Sequence, residues 1–237
     1  MSEHSAVRVV SNLLRSLVSF LLLCTVSLGS VPARSEDSPG SRPLRTIALA
    51  ELDQLLSSGT HLLLNRETME SFLAALEGTP PDWATVYGGG HHDPGHDERL
   101  FNLNRERDAV REGNPTLTWR VAFAWTGEIS HFDVDTQSYS VAVGPEFIST
   151  SWGMVRFKPE EFPSNLRVKP DKPLADRIDQ SLRRHESVQV TIVMAGRLIP
   201  TESIIYDFSH EEEGVGLIMP VVRVEQVEVL LMKPRTS

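Results

Sequence analysis

From Thr118 onward, apolar residues recur at every second position: Trp119, Val121, Phe123 and Trp125 alternate with smaller or polar side chains. That period is the signature of a strand with one face buried and one face wet. Gly127 interrupts it. Ile129 keeps the same parity, whereas Phe132 and Val134 fall on the other, which predicts a bulged and strongly bent strand. Asp135-Thr136-Gln137-Ser138 turns the chain into a second strand carrying Tyr139, Val141 and Val143, and a third is predicted around Met154 to Lys158. After a proline-rich stretch from Pro159 to Pro173, Leu174, Ile178 and Leu182 stand at helical spacing. Val188 to Leu198 and Val221 to Leu231 are the remaining strands. Between them Ile204, Tyr206 and Phe208 alternate ahead of His210-Glu211-Glu212-Glu213-Gly214, which marks a polar hairpin tip.

The N-terminal half follows the helical period instead. Ile47, Leu49, Leu52, Leu55 and Leu56 form one apolar stripe ending at Gly59. In a second stripe Asn65 is the cap, Met69, Phe72, Leu73 and Leu76 share a face, and Gly78 and Pro80 stop the helix. Residues 78 to 96 read as loop. A third helix is predicted from about Glu98 to Glu112, with Asp97 as N-cap, Leu100, Leu103 and Val110 facing inward, and Arg105-Glu106-Arg107-Asp108 as solvated charge.

Three strands, a helix and two strands, with the first strand long and bent at a glycine, is the connectivity of a five-stranded Greek-key barrel. Residues 118 to 232 resemble the OB-fold superfamily in this order. Trp125-Thr126-Gly127-Glu128-Ile129 with the Asp135 turn is similar to its first hairpin, and Val190 to Leu198 is similar to its fourth strand. The expected fold class is therefore α+β: a small OB-like antiparallel β-barrel with an N-terminal helical region. The excursion between the last two strands departs from that pattern and reads as an inserted hairpin.

Ahead of these elements, Arg8 and Arg15 precede an apolar run from Leu17 to Leu28, and Val31-Pro32-Ala33 places small residues where a signal peptidase cuts. The run is shorter than the roughly 20 residues a membrane-spanning helix needs. Residues 1–33 are thus expected to be a signal peptide, 34–45 a disordered polar linker, 46–116 the helical region and 117–233 the barrel. The expected location is periplasmic or secreted, with no integral membrane segment after cleavage. Cys24 is the only cysteine and lies inside the targeting segment, so the mature chain must be held by its core and not by disulfides. A formal charge of −9 opposes nucleic acid as a partner, because phosphate binding needs surplus Lys and Arg. An unknown protein or small ligand is the expected partner.

Candidate chemistry concentrates in Gly88-Gly89-Gly90-His91-His92-Asp93-Pro94-Gly95-His96-Asp97. Asp93-Pro94-Gly95-His96 is a turn sequence that would bring His92 and His96 to one side, with His91, Asp93 or Asp97 nearby. Imidazoles and carboxylates held in this way suit zinc or another divalent metal, so His91, His92, Asp93 and His96 are the candidate ligands. No other cofactor is expected. Asp207, His210 and Glu211 to Glu213 form a second acidic group that lacks the spacing of a calcium loop. There is no Gly-x-Ser-x-Gly elbow, no mature cysteine nucleophile and no P-loop, so no catalytic residue is nominated. Trp119, Phe123, Trp125, Trp152 and Phe157 read as core, with a stacking platform as the alternative. Three functions follow: an exported, non-enzymatic binding or interaction module, a metal-dependent hydrolase on the histidine loop, or a scaffold of an envelope assembly.

Overall fold

The computed structural model describes residues 41–89, 93–162, 165–202, 204–209 and 214–233. The expected signal peptide and residues 34–40 of the linker lie outside them. Among the described residues eleven strands run in chain order: β1 (Arg42–Ile47), β2 (Thr60–Leu62), β3 (Arg120–Asp133), β4 (Ser138–Val143), β5 (Ile148–Thr150), β6 (Gly153–Val155), β7 (Lys158–Pro159), β8 (Arg167–Pro170), β9 (Val188–Leu198), β10 (Ile204–Phe208) and β11 (Gly216–Met232). The α-helices are α1 (Arg66–Glu77), α2 (Trp83–Tyr87), α3 (His96–Arg111) and α4 (Lys172–Arg183).

Six strands close a barrel in the order β1-β8-β4-β3-β9-β11, and β11 returns to pair with β1. With β1 set aside, the ring has the connectivity expected from the sequence: β3, β4 and β8, then α4, then β9 and β11. One expectation needs correcting: the barrel is mixed and not antiparallel, because β1 runs parallel to both β8 and β11. Residues 42–47 were expected partly in the linker and partly in a helix. They form a strand because Leu44 faces the barrel core while Ile47, of opposite parity, packs on the outside. Only the part after Ile47 is helical, as a 3₁₀ turn from Leu49 to Gln54 that buries Leu52. The third barrel strand is also displaced. It is β8, inside the proline-rich stretch, while β6 near Met154 belongs to a second sheet, β10-β11-β6-β5.

The bent strand is real, with its irregularity at Ser130, between Ile129 and His131 of the β3–β4 ladder. Gly127 serves a different need. A Cβ there would run into the Ile192 side chain and come within 3.0 Å of Val141 Cγ1, so the barrel closes around this position. The inserted hairpin is present as β10 against the first residues of β11, from Ile204↔Pro220 to Phe208↔Gly216. At α4, the Asp171 side chain accepts from Leu174 N and Pro173 sits in the first turn. Leu174 and Ile178 then enter the barrel core, and Asp179 accepts a 2.6 Å hydrogen bond from the Tyr139 hydroxyl.

The outer faces of the barrel differ. On the β3–β9–β11 side, Ala122, Val193, Ala195 and Leu230 are buried beneath Leu52 and Leu56. On the β3–β4–β8 side, Thr126, Glu128, Ser130, Ala142 and Lys169 are exposed. No helix among the described residues is long and apolar enough to cross a membrane.

Candidate functional site

Where β3 leaves β4 at Gly127, its N-terminal half carries Phe123 and Trp125 inward. Phe157 stacks on Phe123 with centroids 4.5 Å apart and planes at 11°. Phe123 meets the Trp125 ring edge-on at 5.9 Å, and Phe162 lies over Trp125 at 5.5 Å, tilted by 31°. Trp125 is 8% exposed, whereas Phe162, the outermost ring of the four, is 40% exposed. The indole Nε1 of Trp125 is buried and has no hydrogen-bond acceptor. A buried indole N–H normally finds one, so this donor is the unmet chemical demand of the barrel mouth.

A second constellation lies at the junction of α1, α3 and β10. The Glu77 carboxylate is fully buried. It accepts from Arg111 Nη1 at 2.5 Å, from Arg107 Nη1 at 3.3 Å and from the Tyr206 hydroxyl. Arg107 Nη1 also donates to Thr79 O at 2.6 Å, and Arg111 pairs with Asp108. Burial first, then the Glu77 charge, raises the Tyr206 hydroxyl well above the usual tyrosine range and keeps it a donor. Arg107 was expected in a solvated charge run. It is buried instead because α3 turns Leu103, Arg107 and Arg111 inward at i, i+4, i+8. Val110, expected inside, is exposed. On the same helix Asn104 accepts from Tyr206 N at 3.0 Å and donates to Tyr206 O at 2.9 Å, while Arg111 Nη2 donates to Ile204 O. These side chains cover the outer edge of β10, which would otherwise expose unpaired backbone groups. The arrangement is a lock between helix and hairpin.

Of the predicted metal ligands, His91 and His92 lie outside the described residues. Asp93 accepts from Gly89 N at 3.0 Å, Gly95 N at 2.9 Å and Arg99 Nη2 at 2.8 Å. Those backbone N–H groups, and then the guanidinium, hold its carboxyl well below the usual carboxylate range. His96 does not stand before a helix but opens α3, with Gly95 at the N-cap position expected for Asp97. Its Nδ1 lies 2.9 Å from Asp93 O, its Nε2 lies 3.1 Å from Asp97, and its ring packs on Phe208. Arg99 also donates to Val86 O and Tyr87 O, which ties the loop to α2. Among the described residues, no three His, Cys, Asp or Glu side chains converge as a metal-binding group. Asp207 is partly buried and bonds its neighbour Phe208 N; His210 to Glu213 lie outside the described residues.

No family model, curated protein or solved structure matches this chain. The site therefore rests on its own geometry. Phe123, Trp125, Trp152 and Phe157 are core, as expected, and Trp119 is half-buried, stacked on His61 at 3.7 Å. Sequence reasoning missed Phe162 because it follows two glutamates in a segment with no periodic pattern. It missed Glu77, Arg107 and Arg111 because charged residues on a helix read as solvent-facing unless a partner is known.

Proposed function

We propose that this protein is an exported, non-enzymatic binding module built on a barrel of the OB superfamily. The observation that carries the reading is the asymmetry of the barrel's outside. One face is sealed by the segment from Ile47 to Leu64, while the β3–β4–β8 face stays open and polar, next to an aromatic mouth. OB barrels bind through the face of their second and third strands, the positions β4 and β8 occupy here. The turn beside that face is pre-ordered: Asp133 accepts from Asp135 N and Thr136 N, and Arg167 clamps Asp133 at 2.5 Å and Thr136 at 2.8 Å. A surface ordered before binding loses less entropy on binding.

Native mass spectrometry on the protein purified gently from the cells that make it tests this reading. A retained organic molecule or protein is the expected result. Robust turnover of an envelope substrate, lost on changing a single polar residue, would overturn it in favour of an enzyme.

A further inference from the structure

We propose that a row of arginines on the outside of β3, β9 and β11 is a docking surface for an acidic, extended segment of a protein partner, with Arg197 as the guanidinium that takes its carboxylate. The surface is separate from the β3–β4–β8 face, so the inference goes beyond the binding-module reading. The ladders set Arg120 opposite Arg197 and Arg197 opposite Arg223, on three adjacent strands. Arg120 and Arg197 have the outward parity of Ala122 and Ala195, the face that Leu52 and Leu56 cover. Arg223 follows the inward-facing Val222 and points the same way. The cover ends at this row: the side chains of Arg197 and Arg223 are 61% and 63% exposed, that of Arg120 only 15%.

Like charges directly opposite one another destabilise a sheet, and the fold offsets only part of this repulsion. β11 bulges here: Val224 pairs with Gly196 and Gln226 with Ala195, which leaves Glu225 as the extra residue. Its carboxylate accepts from Arg120 Nη1 and lies 3.6 Å from Arg197 Nε. Gly196 permits the bulge, since a Cβ there would run into the Arg223 carbonyl. On the other flank Arg223 donates Nε and Nη2 to Glu160 at 2.7 and 3.1 Å. Arg197 is the one left short. Among the described residues its guanidinium donates no hydrogen bond, and its one ion pair is to a carboxylate that Arg120 already holds. An exposed ion pair contributes about 0–1 kcal/mol, so a lone small acid is held weakly and several carboxylates on one chain are needed. Adjacent strands stand about 4.8 Å apart and alternate side chains of an extended peptide about 7 Å apart. Two long arginine side chains absorb that difference, so acids at alternate positions reach Arg197 and Arg223 together. The net charge of −9 opposes a long polyanion or an anionic bilayer, which meets the field of the whole chain, and leaves a short acidic segment as the fitting partner.

The test titrates the full chain, labelled at its arginines, with a blocked Glu-Ser-Glu-Ser-Glu peptide and with its Gln-Ser-Gln-Ser-Gln counterpart, while the arginine Nε–H resonances are followed by NMR. Salt of about 0.1 M screens the overall charge beyond about 10 Å and leaves direct contacts in place. Arg197→Gln assigns the resonance. The expected result is a saturable shift of the Arg197 and Arg223 signals with the glutamate peptide alone, weakened about five-fold by Arg197→Gln, the upper range of one exposed ion pair. Glu160→Gln releases Arg223 and should tighten the peptide by a few-fold. Lys172→Gln removes the same charge from α4, far from the row in sequence, and should change binding much less. Equal shifts with the two peptides, an unmoved Arg197 signal, or equal losses in Arg197→Gln and Lys172→Gln would each overturn the proposal. Phosphatidylglycerol vesicles provide the other arm: binding to them through Arg197, without binding of the peptide, would replace the protein segment by a lipid surface and overturn it as well. The binding-module reading stands or falls separately, on whether native mass spectrometry finds a retained molecule.

Discussion

Two regions of this protein bury aromatic hydrogen-bond donors and treat them in opposite ways. At the packing of helices on the second sheet, two such donors have acceptors. The Tyr206 hydroxyl reaches Glu77, and Trp83 Nε1 donates to Trp152 O at 2.6 Å. At the barrel mouth, Trp125 Nε1 meets nothing. The same chain thus contains both the ordinary solution for a buried donor and an exception to it. Where the Tyr206 hydroxyl and the Trp83 indole find acceptors, they fasten helix to sheet. Trp125 Nε1 is the aromatic donor the fold leaves open, as it also leaves the Nε of Arg107 and Arg120.

The comparison breaks most visibly at Glu77. Glu77→Gln leaves Arg107 and Arg111 buried with no carboxylate between them, and chemical denaturation should register a loss of about 3–5 kcal/mol. Next comes Gly216→Ala. A Cβ at that position would overlap the Trp83 ring, so Trp83 must leave its slot and its bond to Trp152 O. Overpacking of this kind costs about 1–3 kcal/mol, and the near-ultraviolet circular dichroism of the tryptophans should change with it.

Two matched substitutions then sharpen the contrast, since each removes a polar hydrogen from a buried aromatic side chain. Tyr206→Phe forfeits a bond to a charged carboxylate and should cost about 1.5–3 kcal/mol. Trp125→Phe removes a donor that had no partner. The relief offsets the lost volume, so stability should stay within about 1 kcal/mol of the parent in the same denaturation series. A large loss on Trp125→Phe would show that its indole is as structurally committed as Tyr206.

The smallest effect concerns pH at the Asp93 loop. The folded carboxyl titrates below its unfolded value, so the loop is favoured above the unfolded pKa of about 4 and loses that support as pH falls further. The protection of the Gly89 and Gly95 amides, both of which donate to this carboxylate, should fall in acid when exchange is measured against the intrinsic rate at each pH. In Asp93→Asn the protection should already be low at neutral pH and show no such acid step.

Much of the barrel was legible because its strands carry their own pattern. Val188–Leu198 is one strand with the predicted bounds, and the alternation at Ile204, Tyr206 and Phe208 became the inserted hairpin. The strands that went unread have little apolar surface of their own. β8 buries a single hydrophobic side chain, Val168, and β1 has only Leu44 and Ile47 in the core, among Arg42, Pro43 and Arg45. For them the deciding contribution is the ladder: Leu44 pairs with Val229 on one side and Pro170 on the other, residues far away in sequence.

The same division holds for chemistry. Local sequence placed Asp93 and His96 in a turn, since Pro94 and Gly95 restrict the backbone whatever surrounds them. It could not say that Arg99 and two backbone N–H groups would take up the Asp93 carboxylate. By itself the sequence determined the long bent strand near Gly127, the strands at Tyr139, Val188–Leu198 and Val221–Leu231, the helix that enters the core and the absence of disulfides from any chain cut after Ala33. Only the tertiary structure decided that β1 completes the ring, that Glu77 holds two arginines inside, and that Trp125 is buried without an acceptor. Periodicity and turn chemistry act between near neighbours, whereas ring closure, ion pairing and donor satisfaction depend on which distant residues are brought into contact.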